Sequence, residues 1–129
     1  MTVRGIRGAT TVDANSKESI LSRSKELLLS LQKANPFDTE DIVSIFFSMT
    51  SDLNAAFPAE AARQLGWNKV PLFGMQESDV ESGLEKCIRI LIQINSNKIQ
   101  DEIRHCYLHE AKKLRRDLSD DIEGKEEGK

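Results

Sequence analysis

Apolar and polar residues alternate strictly from Cys87 to Ile94, and this period of two predicts a β-strand with two different faces. Four isoleucines share one face, which needs a second layer of structure to cover it. They are Ile88, Ile90, Ile92 and Ile94. Arg89 lies on the other face, where a rigid strand could hold its guanidinium closely in place. The strand alone is equally compatible with an ordinary surface arginine.

Residues 2–11 also read as a strand, with Arg7 and Ala9 on the same face. Gly5 and Gly8 are unusual inside a strand and predict that a ligand or another backbone approaches closely there. Arg7 is therefore a second candidate guanidinium, although a solvated charge on an edge strand fits the pattern as well.

A helix is predicted from the capping signal at Asn15 and Glu18 to about Lys33, and Asn35-Pro36 ends it. Its apolar stripe is expected to cover the sheet. The stripe consists of Ile20, Leu21, Leu27, Leu28 and Leu31.

Residues 42–50 form a nearly continuous apolar run, which is typical of a central strand covered on both faces. One helix covers only one face of a sheet, so a second subunit is the natural candidate for the other. The pattern therefore predicts an oligomer.

Two further stretches complete the prediction. Residues 58–65 read as a short helix that carries Arg63, with Gly66 as its cap. Residues 103–108 read as a strand that carries Tyr107, the only tyrosine. A short charged helix is predicted at residues 110–116.

Length and charge limit the function classes. The chain has 129 residues and a net charge of -3, so it is expected to be one domain without a nucleic-acid partner. No run of apolar residues is long enough for a membrane span, and Arg4 and Arg7 interrupt any apolar core of a signal peptide. Cys87 and Cys106 are expected to be free thiols of a cytoplasmic protein. The cysteines and histidines lack the spacing of a metal site, so neither a metal nor a cofactor is expected.

The remaining candidates are arginines, a tyrosine and Glu77, which follows the apolar run of residues 70–74. No arrangement for nucleophilic catalysis is apparent. Guanidinium groups bind carboxylates in a bidentate manner, so this set predicts a pocket for a small molecule with several anionic groups.

Five segments, in the same order and at compatible spacing, resemble the monofunctional AroH-type chorismate mutases. The segments are MTVRGIRGATT at residues 1–11, DLNAAFPA at 52–59, MQE at 75–77, CIR at 87–89 and RHCYL at 104–108. The resemblance covers residues 1–119 and implies one domain, while the polar residues 120–129 are expected to be a disordered tail. It also implies an α+β fold with a mixed β-sheet, one long helix and one short helix on it. Three copies would form a homotrimeric pseudo α/β barrel.

The resemblance implies conversion of chorismate to prephenate by an intramolecular rearrangement, with sites between adjacent subunits. Arg89 would contact the ether oxygen and also reach a carboxylate. Arg7 and Tyr107 would bind substrate carboxylates, and Glu77 would accept a hydrogen bond from the ring hydroxyl.

Other positions correspond to pocket residues of that family. Across the subunit boundary these are Phe57, Ala59 and Arg63; on the apolar run they are Leu72, Phe73 and Gly74; and at the mouth of the site they are Leu114 and Arg115. Two positions depart from the family pattern. Gly74 replaces a cysteine that would contact the ring hydroxyl, and Glu60 replaces a lysine, which should make the entrance less attractive to a dianion.

Two alternatives stay open at this point. One is an enamine/imine deaminase of the RidA type, which also places an arginine at a subunit interface. The other is a non-catalytic trimeric sensor of a small acid. An assay for loss of chorismate separates both from a mutase.

Overall fold

The computed structural model describes residues 1–114, which form one mixed β-sheet with two α-helices packed on one face. The elements in chain order are β1 (Thr2–Thr11), α1 (Lys17–Ala34), β2 (Ile42–Met49), α2 (Ala59–Gln64), β3 (Leu72–Gln76), β4 (Cys87–Ser96) and β5 (Cys106–Tyr107). Short 3-10 helices lie after α1 at Thr39–Asp41, after β4 at Gln100–Glu102 and after β5 at His109–Lys113. The α+β prediction is confirmed.

The sheet order is β3-β2-β4-β1-β5. β4 lies in the middle and pairs antiparallel with β1 and β2, whereas β3 and β5 are added parallel to β2 and β1. The four isoleucines of β4 are at most 3% exposed and form the centre of the core. The predicted strand and its buried face are therefore confirmed.

The apolar stripe of α1 covers this face, since all five of its predicted residues are buried. A Cβ atom at Gly8 would lie 2.9 Å from Leu31 Cδ1 and 3.0 Å from Leu27 Cδ1. Gly8 is therefore needed because helix α1 packs closely on β1. Gly8 also lines the cavity on the other face of the sheet, so approach of a ligand at this glycine stays a prediction.

The N-terminus of α1 also differs from the prediction. Ser16, not Asn15, is the N-cap, and its hydroxyl accepts a hydrogen bond from Ser19 N at 3.1 Å. Asn15 instead accepts hydrogen bonds from the backbone N–H groups of Asn54 and Ala55. The side chain of Asn15 thus holds the loop before α2, a long-range role that a local capping pattern does not reveal.

β2 is an inner strand next to the edge rather than the central strand. Its register with β4 shifts between Ile42 and Ser44, so Val43 is an extra residue in the ladder. This bulge explains why Ile42 and Ile45, three positions apart in the strand, are both buried in the core.

The remaining predictions are confirmed in part. Gly66 follows α2 with a φ of 88°, as expected of a glycine cap. β3 was not predicted as a strand, and the predicted strand at residues 103–108 is only two residues long. The charged helix predicted at 110–116 is a 3-10 helix that begins at His109. The structure does not describe residues 115–129. Arg115 and Arg116, the predicted domain boundary at 119 and the predicted tail therefore lie outside the described residues.

Candidate functional site

Both helices pack on one face of the sheet, and the candidate site lies on the other. Here a cavity of about 560 Å³ is lined by Arg7, Arg89 and Tyr107 together with Ala9 and Ser48, among others. Its size is in the usual range for a small-molecule site. Strand alternation explains the arrangement, because the side chains that oppose the buried isoleucines must point into this cavity.

An ion pair connects Arg89 and Glu77. Arg89 Nε lies 3.2 Å from Glu77 Oε2, and the two side chains are 46% and 25% exposed. Glu77 does not line the cavity of Arg7 and Tyr107; together with Arg89 it lines a neighbouring polar cavity of about 530 Å³. A guanidinium has five N–H donors, so the Nε contact leaves donors for a further acceptor.

Ser48 is a third member of this group, and the sequence analysis missed it. Its hydroxyl donates a hydrogen bond to Glu77 Oε2 at 2.8 Å. Ser48 pairs with Arg89 in the ladder between β2 and β4, which explains why these side chains meet. The only sign of Ser48 in the sequence is that it is a small polar residue inside a mostly apolar strand.

Cys87 is a buried residue at the start of β4, two positions before Arg89. Burial raises the pKa of its thiol to about 11, although the nearby Arg89 guanidinium opposes the rise. Cys87 and Cys106 are both free cysteines, as predicted. The Cys87 thiol is therefore neutral at ordinary pH, which argues against a role as a nucleophile.

Tyr107 is brought to the cavity by β5. It pairs with Ala9 in the parallel ladder, and Leu108 N donates a hydrogen bond to Ala9 O at 2.9 Å. One residue before the Cys106–Tyr107 strand, His105 Nδ1 accepts a hydrogen bond from Arg7 N at 2.9 Å. Backbone pairing thus places the phenol and the Arg7 guanidinium on the same side of the sheet.

A second cavity, of about 600 Å³, contains four other predicted residues: Phe57, Ala59, Arg63 and Gly74. None of these four lines the cavity of Arg7, Arg89 and Tyr107. Phe57 is 75% exposed, a large exposure for an apolar side chain. The described part of one chain therefore carries two separate groups of candidate residues.

Three other predicted residues lie outside both cavities. Leu72 is partly buried against the core, and Phe73 is 60% exposed and packs edge-on against Phe46, with the ring centroids 6.1 Å apart. Leu114 packs near Ala9 and Cys87 at the end of the 3-10 helix.

The unfavourable charge predicted at Glu60 is partly offset. Lys17 Nζ, at the start of α1, lies 3.5 Å from Glu60 Oε2, and Gln64 donates a hydrogen bond to the same oxygen at 3.0 Å. This pair has no net charge, so Glu60 should repel an anion less than an isolated carboxylate would.

Together these features define a class: an α+β protein whose open sheet face carries a cavity lined by two arginines and a tyrosine, groups suited to bind carboxylates. The family model described as chorismate mutase type I matches residues 3–118. The chain is 48% identical over 120 residues to the chorismate mutase AroH of Bacillus subtilis, covering 92% of this chain and 94% of that protein. It is 46% identical to the chorismate mutase AroH of Thermus thermophilus, covering 90% and 96%.

A solved structure of a chorismate mutase from Clostridium thermocellum shares the fold, with a TM-score of 0.85 and 45% identity over 86% of this chain and 99% of that chain. The chain therefore belongs to the chorismate mutase type I family, whose activity is an isomerisation. These findings support the resemblance and give no support to the deaminase or the sensor.

Proposed function

We propose that the cavity of Arg7, Arg89 and Tyr107 binds chorismate and converts it to prephenate by an intramolecular [3,3] rearrangement. The observation that carries the proposal is the Arg89–Glu77 ion pair, held at 3.2 Å beside this cavity. It places a cation and an acceptor side by side, as this substrate requires.

The reaction needs no nucleophile and no proton transfer. As the ether C–O bond lengthens, negative charge gathers on the ether oxygen, and a guanidinium already in place stabilises that charge without reorganising. Arg89 is assigned this role, because a β4 side chain that opposes the buried isoleucines is held by the sheet. Glu77 is assigned the ring hydroxyl, from which its carboxylate can accept a hydrogen bond.

Arg7 and Tyr107 are each assigned a contact with a substrate carboxylate, and Arg89 also reaches a carboxylate. Binding both carboxylates of the substrate at once would hold the enolpyruvyl arm over the ring in a reactive conformer, and this orientation supplies part of the rate enhancement. Both residues line the same cavity as Arg89, which supports the assignment.

We also propose that three copies assemble into a homotrimer with sites between adjacent subunits. Apolar side chains on the open sheet face support an assembly, since Phe73 and Met75 are 60% and 46% exposed. The separate cavity around Phe57 and Arg63 would then supply the other half of each site. Two free thiols are compatible with the proposed cytoplasmic location.

The test is an absorbance assay for loss of chorismate, with identification of prephenate as product and a native mass measurement of the assembly. We expect turnover by a species of three chains. Absence of turnover by a folded trimer would overturn the proposed function, and a catalytically active monomer would overturn the shared site. An imine substrate from an amino acid serves as the control and should not react.

A further inference from the structure

We propose that Ser48 is a positioning residue that fixes the Glu77 carboxylate against Arg89. This inference rests on the proposed function, in which Glu77 orients the substrate ring. Ser48 itself is assigned no contact with the reacting atoms.

Ser48 lies on β2, between β4, which carries Arg89, and β3, which Glu77 follows. It pairs with Arg89 on β4 on one side and with Met75 on β3 on the other. Glu77 follows β3 directly, and its backbone N–H donates a hydrogen bond to Met49 O at 2.7 Å. β2 therefore controls both the backbone of Glu77, through Met49, and its side chain, through Ser48.

The hydrogen bonds show how the carboxylate is held. Ser48 Oγ donates to Glu77 Oε2 at 2.8 Å, and the same oxygen lies 3.2 Å from Arg89 Nε. Hydrogen bonds to a charged acceptor are stronger than neutral ones. Glu77 Oε1 takes part in neither contact and is the oxygen that we assign to the ring hydroxyl.

A serine suits this task better than the ion pair alone. Arg89 and Glu77 are long side chains that are partly exposed, and such pairs are held weakly because ordering them costs conformational entropy. The Ser48 side chain is short, with one hydroxyl rotor on a paired inner strand. It transmits the rigidity of the sheet to the carboxylate.

The experiment compares Ser48→Ala with the parent enzyme. Loss of one hydrogen bond to a charged group predicts a fall in kcat of about ten- to a hundredfold. Ser48→Thr keeps the hydroxyl and should recover most of that loss. An unchanged kcat in Ser48→Ala, or a threonine variant as slow as the alanine variant, would overturn the inference.

A double-mutant cycle distinguishes positioning from a general structural role. In a Glu77→Ala background the hydroxyl has no carboxylate to hold, so adding Ser48→Ala should cost less than about twofold. An equal cost in both backgrounds would show that Ser48 acts independently of Glu77.

Ser44 provides the matched control. It lies on the same strand and donates a hydrogen bond to Gln93 Oε1 at 2.6 Å, away from the ion pair. Ser44→Ala should leave kcat within about twofold of the parent. Turnover of chorismate by the parent tests the proposed function by itself, so a parent that turns over and an unaffected Ser48→Ala would reject only the inference.

Discussion

Arg89 owes its place in the cavity to its neighbours in sequence. The isoleucines on either side of it are buried at 0% and 3% exposure, and a strand cannot turn one of these residues inward without turning Arg89 outward. The hydrophobic core therefore fixes the face of the sheet from which the Arg89 side chain projects. The direction of this side chain does not depend on a flexible loop.

Replacement of Arg89 by lysine tests the guanidinium itself, because lysine keeps the charge and loses the planar fork. We expect kcat/KM to fall more than about a hundredfold, a loss of about 3 kcal/mol, by analogy with removal of one oxyanion donor. Arg4→Lys is the control, since Arg4 donates to Lys98 O and is assigned no role in the site. A fall below tenfold would show that Arg89 does not meet the reacting oxygen.

The pH dependence of the rate follows from the absence of proton transfer in the rearrangement. We expect kcat to be nearly flat from about pH 6 to about pH 9 at constant ionic strength. Cys87 does not disturb this range, because burial raises the pKa of its thiol to about 11. A bell-shaped profile within the range would instead indicate acid–base catalysis.

The same thiol should affect stability at alkaline pH. Between about pH 9 and about pH 11 an unfolded Cys87 loses its proton, whereas the folded chain keeps it because burial raises the pKa to about 11. The unfolded state then binds fewer protons, so the free energy of unfolding falls as pH rises. Denaturant titrations should show a shallower fall for Cys87→Ser than for the parent, and identical slopes would contradict the pKa shift.

At the site, sequence reasoning identified the groups that the resemblance carries, and it missed Ser48, which donates a hydrogen bond to one of them. Arg7, Arg89 and Tyr107 were expected together and line one cavity. Ser48 could not be predicted, because its partner Glu77 is 29 residues away and the contact depends on the register of two strands.

The C-terminal segment is the element on which Tyr107 depends. After the two-residue strand β5, Glu110 N donates a hydrogen bond to Thr11 Oγ1, and His109 Nε2 lies 2.8 Å from Glu26 Oε1 on α1. Ala111 is fully buried beside Ala9. These contacts attach the segment to β1 and α1. The segment that is predicted to fold over the mouth of the site begins at Leu114.

Truncation tests whether residues from Leu114 onward capture the substrate. A chain that ends at Lys113 keeps Ala111 in its buried position, whereas one that ends at Leu108 would also lose packing. We expect the Lys113 variant to raise KM severalfold while kcat at saturation stays within about threefold. A chain that ends at Ser119 is the control and should match the parent. Equal losses in kcat and kcat/KM would contradict a role in capture.

Among the elements, the long periodic segments and the short helix α2 were predicted well, whereas the two short strands at the edges of the sheet were not. The strands β1 and β4 and the helix α1 are each ten or more residues long, so their periodic patterns can be recognised in the sequence. β3 has five residues that are mostly exposed, and only its pairing with β2 makes it a strand. β5 is likewise defined by pairing alone, because only Cys106 and Tyr107 pair with β1.

For the whole molecule, the main question is what covers the open face of the sheet. Within residues 1–114 both helices contribute to the larger hydrophobic core on the other face, and the aromatic pair of Phe46 and Phe73 remains on the open side. A second copy of the chain would cover these rings and bring the cavity of Arg63 to that of Arg89. The two half-sites of one chain would then belong to two different complete sites.

Mixed assemblies test this arrangement directly. Arg63→Ala and Arg89→Ala each damage one half of every site, so each variant alone should be nearly inactive. When the two variants are unfolded together in equal amounts and reassembled, a site drawn from two chains is intact if one supplies Arg89 and its neighbour supplies Arg63. Random assembly gives this combination in roughly one site of four, so about a quarter of the parent activity should return. A site built within one chain would recover nothing on mixing, because each chain would keep its own defect. Full activity of Arg63→Ala alone would show instead that this arginine is a solvated helical residue outside the site.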